Sequence, residues 1–364
     1  MRSWFRKWWP LAKYLLTFAI IFFVGRQFYR DLNNPEFPNL LRRSLQPGWL
    51  ALAGALYIAG LGFSAFFWIR LMRRLGQRPE VLPSLRAYYL GHLGKYLPGK
   101  AWALFLRASL ARSPAVHGGV AGMTALYEVL TTMASGALLG VGLFWVFGHD
   151  TATGFNRQTL WRLLQGQEID ASLLDRRLMA LIALGLFVGI ITPALPGVFN
   201  RLARRVALPF LEPGAPPPPR VPWASLIEGL SLTVCGWFLL GASLWAVVRA
   251  VSGQPLPFTG DLWGEYTGFL SLAYVLGFVV LFMPSGLGVR EYFLTVFLTP
   301  SLAGQFGWTE AEAKPIAVMT VLLLRLVWTT AEVIVAGFWS REQLTRLVAR
   351  GRFPDNGGRG NPTP

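Results

Sequence analysis

The chain is predicted to be an all-α polytopic membrane protein, and three observations predict it. Hydrophobic residues fill 53% of the 364 positions and charged residues only 14%, too little polar surface to cover a soluble fold. Several apolar runs reach the roughly 20 residues that carry an α-helix across a hydrocarbon core of about 30 Å. No stretch shows the alternation of apolar and polar residues over about 10 positions that a membrane β-barrel would need.

The first element begins near Leu11, behind Arg2, Arg6 and Lys7. A basic start before an apolar run resembles a signal peptide, yet no small-residue cleavage site follows, so 11–30 reads as an uncleaved span. Further full spans fall at 48–70, 118–147, 178–199, 225–249 and 315–340, about six crossings that leave both ends on one side. Two other stretches, 84–110 and 266–300, are apolar but broken by Pro and Gly. Each reads as a re-entrant hairpin, which is stable where protein or a watery cavity surrounds the broken backbone. The alternative for the second is that 266–283 crosses alone, leaving 287–298 to return as an unusually short helix. If the hairpins enter from opposite sides, they match the inverted-topology repeats of transporters.

This layout predicts one transmembrane domain over 11–340, with pseudo-halves 11–199 and 225–340 and a linker, 200–224, holding a stiff Pro-rich segment at 212–220. Residues 1–10 form an N-terminal segment, and 341–364 form a tail expected to be disordered toward its Gly-rich end. The segments assigned to the side of the termini hold 17 Lys and Arg, and the opposite loops 7, so both termini are expected in the cytoplasm.

The formal charge of +16 fits attraction to anionic headgroups, and nucleic acid is not expected as a partner. Cys235, the single cysteine, lies in an apolar run and reads as a small buried hydrophobe. His92, His117 and His149 lack metal-ligand spacing, and no nucleophile elbow occurs. No metal, no cofactor and no enzymatic activity are therefore expected.

The chemistry concentrates at the two breaks. Residues Gly94-Lys-Tyr-Leu-Pro-Gly-Lys100 come close to a phosphate-binding P-loop, but Ala101 replaces the Mg²⁺-binding hydroxyl and no strand precedes it, which excludes nucleotide binding. What remains is local: Pro98 and Gly99 interrupt a helix and free backbone N–H groups that can face an anion, with Lys95, Lys100 and Arg107 nearby. Cations inside a bilayer need a partner or water, so either a lipid phosphate meets them or Lys95 and Lys100 snorkel to the headgroups. In the second break, Pro284, Gly286 and Gly288 precede Arg290 and Glu291. Arg290 offers a planar fork for a phosphate, whereas Glu291 is either a helix cap or part of the site. Glu128 and Glu332 stand in apolar spans, and Arg325 lies seven residues before Glu332, on the same helix face. Arg325 with Glu332 or Glu291 makes either a structural ion pair or a secondary headgroup contact. Glu128 either takes up a proton or pairs with a hairpin lysine.

Gly94-Lys-Tyr-Leu-Pro-Gly-Lys-Ala-Trp102 and Pro284-Ser-Gly-Leu-Gly-Val-Arg-Glu291 resemble the lysylphosphatidylglycerol synthase transmembrane-region family, the flippase-like domain of bacterial multiple peptide resistance factors. Here Tyr127-Glu-Val-Leu-Thr131 keeps only the first acid of the family's Glu-Arg-x-x-Asp pattern. The resemblance implies a flippase-like fold, a lipid substrate and a bacterial cytoplasmic membrane location, for a stand-alone member without the soluble synthase domain.

Together these readings predict a lipid translocase that holds an anionic phospholipid or polyprenyl-phosphate headgroup through Lys95, Lys100 and Arg290, with Arg107 and Arg325 as secondary contacts. Glu128, Glu291 and Glu332 serve ion pairing or proton coupling. The alternatives are a non-transporting lipid-binding partner of a glycosyltransferase and an intramembrane transferase with Glu128 or Glu291 as base. Gly-rich spans suit a homodimer or packing within one chain equally.

Overall fold

The computed structural model describes residues 45–96, 101–147, 176–207, 219–279 and 288–350, all of them helical or in short connections apart from one isolated bridge between Ser113 and Val116. Helix α1 (Pro47–Arg74) opens with Pro at its first position, where a missing N–H leaves no bond unmade, and closes with Arg73 and Arg74 at the negative end of its dipole. The first hairpin follows: α2 (Val81–His92), a 3-10 turn (Leu93–Tyr96) and α3 (Ala101–Ala111). Next come α4 (Gly118–Phe147), α5 (Arg176–Ala194) and α6 (Pro196–Ala207). The second half holds α7 (Trp223–Ser252), α8 (Gly260–Val279), α9 (Val289–Phe306) and α10 (Glu310–Arg350).

Among the described residues, α1, α4, α7 and α10 are long and apolar enough to cross a membrane, and α5 with α6 forms a pair bent by 56° that reads as one broken span. Five of the six expected spans are thus recovered, and the sixth, 11–30, lies outside the described residues. The chain is an all-α, multi-pass membrane protein.

Helix α7 is the hub. It packs against α1, α4, α8 and α10, and Ser243 ties two of them to it: its hydroxyl donates to the Ala53 carbonyl on α1 at 2.8 Å and accepts from the Trp328 indole on α10 at 2.9 Å. Glu228 on α7 pairs with Arg70 and Arg74 at the end of α1. Around this hub, Leu244, Val247, Leu270, Leu298 and Ala317 fill one buried cluster. Phe105, Ile227 and Phe338 point outward, more than 60% exposed, as expected where the surrounding solvent is hydrocarbon.

One expectation needs correction and three gain detail. Cys235 is exposed rather than buried, because an apolar face turned toward lipid loses nothing by being outside. The linker assigned to 200–224 is helical as far as Ala207, since α6 carries the chain on beyond the kink at Pro196. Likewise α10 runs on to Arg350, so the tail begins helical; residues 351–364, with the disorder expected there, lie outside the described residues.

The fourth concerns the second hairpin. Its arms, α8 and α9, have 20 and 18 residues, about 30 and 27 Å at 1.5 Å per residue, each comparable to the whole hydrocarbon thickness. Helix α9 is not the short return that 287–298 implied, because Pro300 sits inside it without ending it. One lost backbone bond is tolerated where Phe297, Leu298 and Leu302 stay buried on either side.

Candidate functional site

The first hairpin has arms of 12 and 11 residues, about 18 and 16 Å, so each reaches half way through a bilayer. The arms lie against each other at two glycines. A side chain at Gly91 would fall 2.5 Å from Cγ of Arg107, and one at Gly94 would fall 2.7 Å from the backbone of Ala103. Helix α3 inverts the pattern of a soluble helix: it is apolar, and its one buried residue is Arg107, 3% exposed. Arg107 donates through Nη1 to Glu128 Oε2 on α4 at 2.6 Å and through Nη2 to His92 Nδ1 on α2 at 3.2 Å, and its guanidinium lies 4.0 Å over the Tyr88 ring. Tyr88 and Thr132 hydroxyls donate to the other oxygen of Glu128 at 3.2 and 3.1 Å. The Nε of Arg107 remains buried without a hydrogen-bond partner.

Lys95, on the 3-10 turn, makes an ion pair with Glu332 of α10, to which the Tyr57 hydroxyl of α1 also donates. Lys95 donates to Tyr57 as well, at 3.3 Å. His92 turns Nε2 toward Glu332 at 3.6 Å and so stands between the Arg107 and Lys95 pairs. Tyr57 stacks on Trp328 with ring centroids 4.3 Å apart, and Trp328 lies 5.8 Å from Tyr274.

That aromatic row leads to the second half of the site. Gly288 adopts φ +84° at the start of α9, a conformation that glycine takes at no cost, and its N–H donates to Glu291 Oε2 at 2.7 Å. Arg290 donates to Glu291 Oε1 at 2.7 Å and to the Tyr274 hydroxyl at 2.6 Å, with the Tyr274 and Trp328 rings 4.6 and 5.9 Å from its guanidinium. Arg325, 37% exposed, comes no nearer than 4.0 Å to Glu291. The two halves meet through this aromatic row, since Tyr57 accepts from Lys95 and stacks on Trp328, whose ring also faces Arg290. Between them lies a cavity of about 100 Å³, lined among others by Tyr57, Ser64, Tyr88, His92, Arg107, Glu128, Thr132, Trp237 and Tyr274. That is room for about three waters at ~30 Å³ each, or for a small anionic group.

Of the candidate site residues, Lys95, Arg107, Glu128, Arg290, Glu291 and Glu332 come together here, with Arg325 at the margin. Gly288 is the one helix-breaking residue placed by the structure; Pro98, Gly99, Lys100, Pro284 and Gly286 lie outside the described residues. One pairing departs from expectation: Glu128 takes Arg107 rather than a lysine, because Arg107 is the residue that α3 turns inward. Of the two acids expected for Arg325, Glu291 is the one it approaches, at 4.0 Å. Tyr57, Tyr88, Tyr274, Trp328 and His92 were not foreseen as part of the site. The available signal was a tyrosine deep within an apolar run, away from the interfaces where tyrosine usually gathers. Among the described residues no group of three or more His, Cys, Asp or Glu could hold a metal ion.

Broken-helix arms bearing buried ion pairs around an interior cavity define a polytopic membrane protein with a polar centre. The model of the lysylphosphatidylglycerol synthase transmembrane region matches residues 11–331, and the chain belongs to that family, a membrane domain linked to lipid handling. No curated protein is significantly similar to the chain.

Proposed function

We propose that this protein binds an anionic lipid headgroup at the central cluster and moves it between leaflets of a bacterial cytoplasmic membrane, with both termini on the cytoplasmic side. The observation that carries this reading is Arg107, a permanently charged residue that lines an interior cavity and whose buried Nε has no hydrogen-bond partner. An unmade hydrogen bond of this kind costs about 1–3 kcal/mol or more for a charged group, and a phosphate oxygen would supply the missing acceptor. The charges point the same way: among the described residues, the bases Lys95, Arg107, Arg290 and Arg325 face the acids Glu128, Glu291 and Glu332. Such bases stabilise an anion inside a low-dielectric interior.

In this reading Lys95, Lys100, Arg107 and Arg290 contact the headgroup, Arg325 guides it from the margin, and the acyl or polyprenyl chains stay in lipid. The protein acts without covalent chemistry. Glu128 and Glu291, the two acids that could serve as a base, are each engaged by an arginine and a further donor.

Reconstitution in liposomes with labelled anionic phospholipids tests the proposal. The wild type should exchange label between leaflets, and a K95Q/K100Q/R290Q variant should lose that exchange while inserting normally. The substitution Arg107→Lys, which keeps a charge for Glu128 but removes Nε, should slow it about tenfold, the equivalent of one charge-assisted bond. If neither wild type nor variant exchanges any anionic phospholipid or polyprenyl phosphate, autonomous flipping is wrong. Co-purification with a glycosyltransferase would then favour a lipid-presenting role.

A further inference from the structure

Helix α6 cannot lie wholly in hydrocarbon: Arg201, Arg204 and Arg205 fall within five residues, and the helix holds no acid to neutralise them. At spacings of three and four they share one face, and all three are exposed. A second face belongs to the bundle, where Phe199 meets the Tyr127 ring edge-on at 4.8 Å and Ala203 packs into the same cluster. Between the two faces Leu202 stays 45% exposed. Helix α5, with 19 residues and about 28 Å of length, covers most of the hydrocarbon thickness by itself, and the 56° bend turns α6 out of its line. Helix α6 is therefore the part of the broken span that leaves the hydrocarbon.

A clamp sets its depth. Asn200 Nδ2 donates to the Val221 carbonyl at 3.0 Å, and the Val221 N–H donates to Asn200 Oδ1 at 2.9 Å, which fixes α6 to the start of α7. Two residues on, Trp223 is 58% exposed, and Ile227, one turn further, is exposed as well. An exposed tryptophan at the end of a span marks the level where headgroups meet acyl chains. The clamp holds the arginines of α6 near that level, with Arg220, also exposed, next to Val221. Glu228, further along α7, is engaged by Arg70 and Arg74 of α1.

We propose that α6 is a membrane-surface helix that binds the phosphates of anionic lipids in the leaflet at its end of the bundle, with Leu202 in the acyl region and Arg201, Arg204, Arg205 and Arg220 among the headgroups. Helices of this pattern hold to anionic bilayers by an apolar edge and a basic face together, each basic residue near the surface contributing about fivefold. The site is separate from the central cluster. It keeps anionic lipid concentrated beside the bundle whether or not the interior cavity takes a headgroup.

In an L202C/C235S variant the sole cysteine of the full chain lies at position 202, where it takes a bimane label. The protein is reconstituted in vesicles of equal parts phosphatidylglycerol and phosphatidylcholine, with one lipid or the other brominated in its acyl chains. Brominated phosphatidylglycerol should quench the label as though enriched about fivefold over the bulk at low salt. That preference should fall to near parity at ~1 M salt, where charges are screened beyond about 3 Å. It should vanish when R201Q/R204Q/R205Q is added and survive in R201K/R204K/R205K, which separates loss of charge from loss of fold. It should also persist in the K95Q/K100Q/R290Q background. Equal quenching by the two brominated lipids, or a preference that outlasts the triple Gln substitution, overturns the proposal. A label that neither lipid quenches places this face in water, open to an acidic protein segment instead, and overturns it too. Absence of leaflet exchange in the wild type beside an intact preference at α6 would refute the central headgroup reading alone.

Discussion

The two halves of the site solve one problem in opposite ways. Around the first hairpin the two inward-facing cations among the described residues are neutralised from other helices: Arg107 by Glu128, 21 residues on, and Lys95 by Glu332, 237 residues on. Around the second, Arg290 is neutralised by Glu291, its immediate neighbour, which also caps its own helix through Gly288. The first arrangement exists only when three or four helices have assembled, whereas the second is almost complete within one turn. Charges paired at long range make the first half-site sensitive to how helices sit relative to one another. Local pairing makes the second half-site a preformed unit.

Substitutions can break that contrast, beginning with the largest expected effect. Glu128→Ala should destabilise the protein by about 3–5 kcal/mol, the usual consequence of leaving a buried arginine unpaired. Thermal unfolding in detergent would show this, and adding Arg107→Met should restore most of the loss; no restoration would mean that the pair is not the source. Glu291→Ala should cost only about 2 kcal/mol, because Arg290 keeps the Tyr274 hydroxyl and two aromatic faces while the cap of α9 is lost. An equal loss at both positions would erase the distinction between assembled and preformed halves.

The substitution Gly91→Ala sharpens the comparison from the backbone side. Its new methyl group meets Arg107 at 2.5–2.8 Å, so the hairpin arms should spread at about 1–3 kcal/mol. Cross-linking between cysteines placed on α2 and α3 would report the separation. Gly288→Ala should cost about 1–2 kcal/mol through its left-handed backbone alone, with lipid binding weakened only as far as Arg290 shifts. Smallest of all, Arg325→Gln should change stability by under about 0.5 kcal/mol, given its exposure and its 4.0 Å separation from Glu291.

Chain length and Pro-Gly breaks made most of the architecture legible in advance. The spans follow from runs of apolar residues, and the first hairpin follows from a break that no continuous helix could absorb. Charge made half of the site legible, since a lysine, arginine or glutamate inside an apolar run has few roles open to it. The partners were not legible, because Lys95 finds Glu332 only after the whole bundle closes. Nor were the aromatic residues between the halves: Tyr57, Tyr274 and Trp328 look like any apolar-run aromatics until Lys95 is seen against the first and Arg290 against the other two. The length of α9 was not legible either, because Pro300 sits inside it and tertiary packing carries the helix onward.

The inward turn of Arg107 has a consequence for motion. Helix α3 packs Leu104, Ala108 and Ala111 only partly against the bundle, so the ionic tether of Arg107 to Glu128 shares in setting its orientation. The strength of that tether depends on how wet its surroundings are: a charge pair at an effective dielectric of 20 attracts about four times as strongly as it does in bulk water. Water admitted to the interior therefore slackens α3, and a slackened α3 admits more water, while a dry interior clamps it shut. Hydration and helix position reinforce each other, which favours two end states over a continuum.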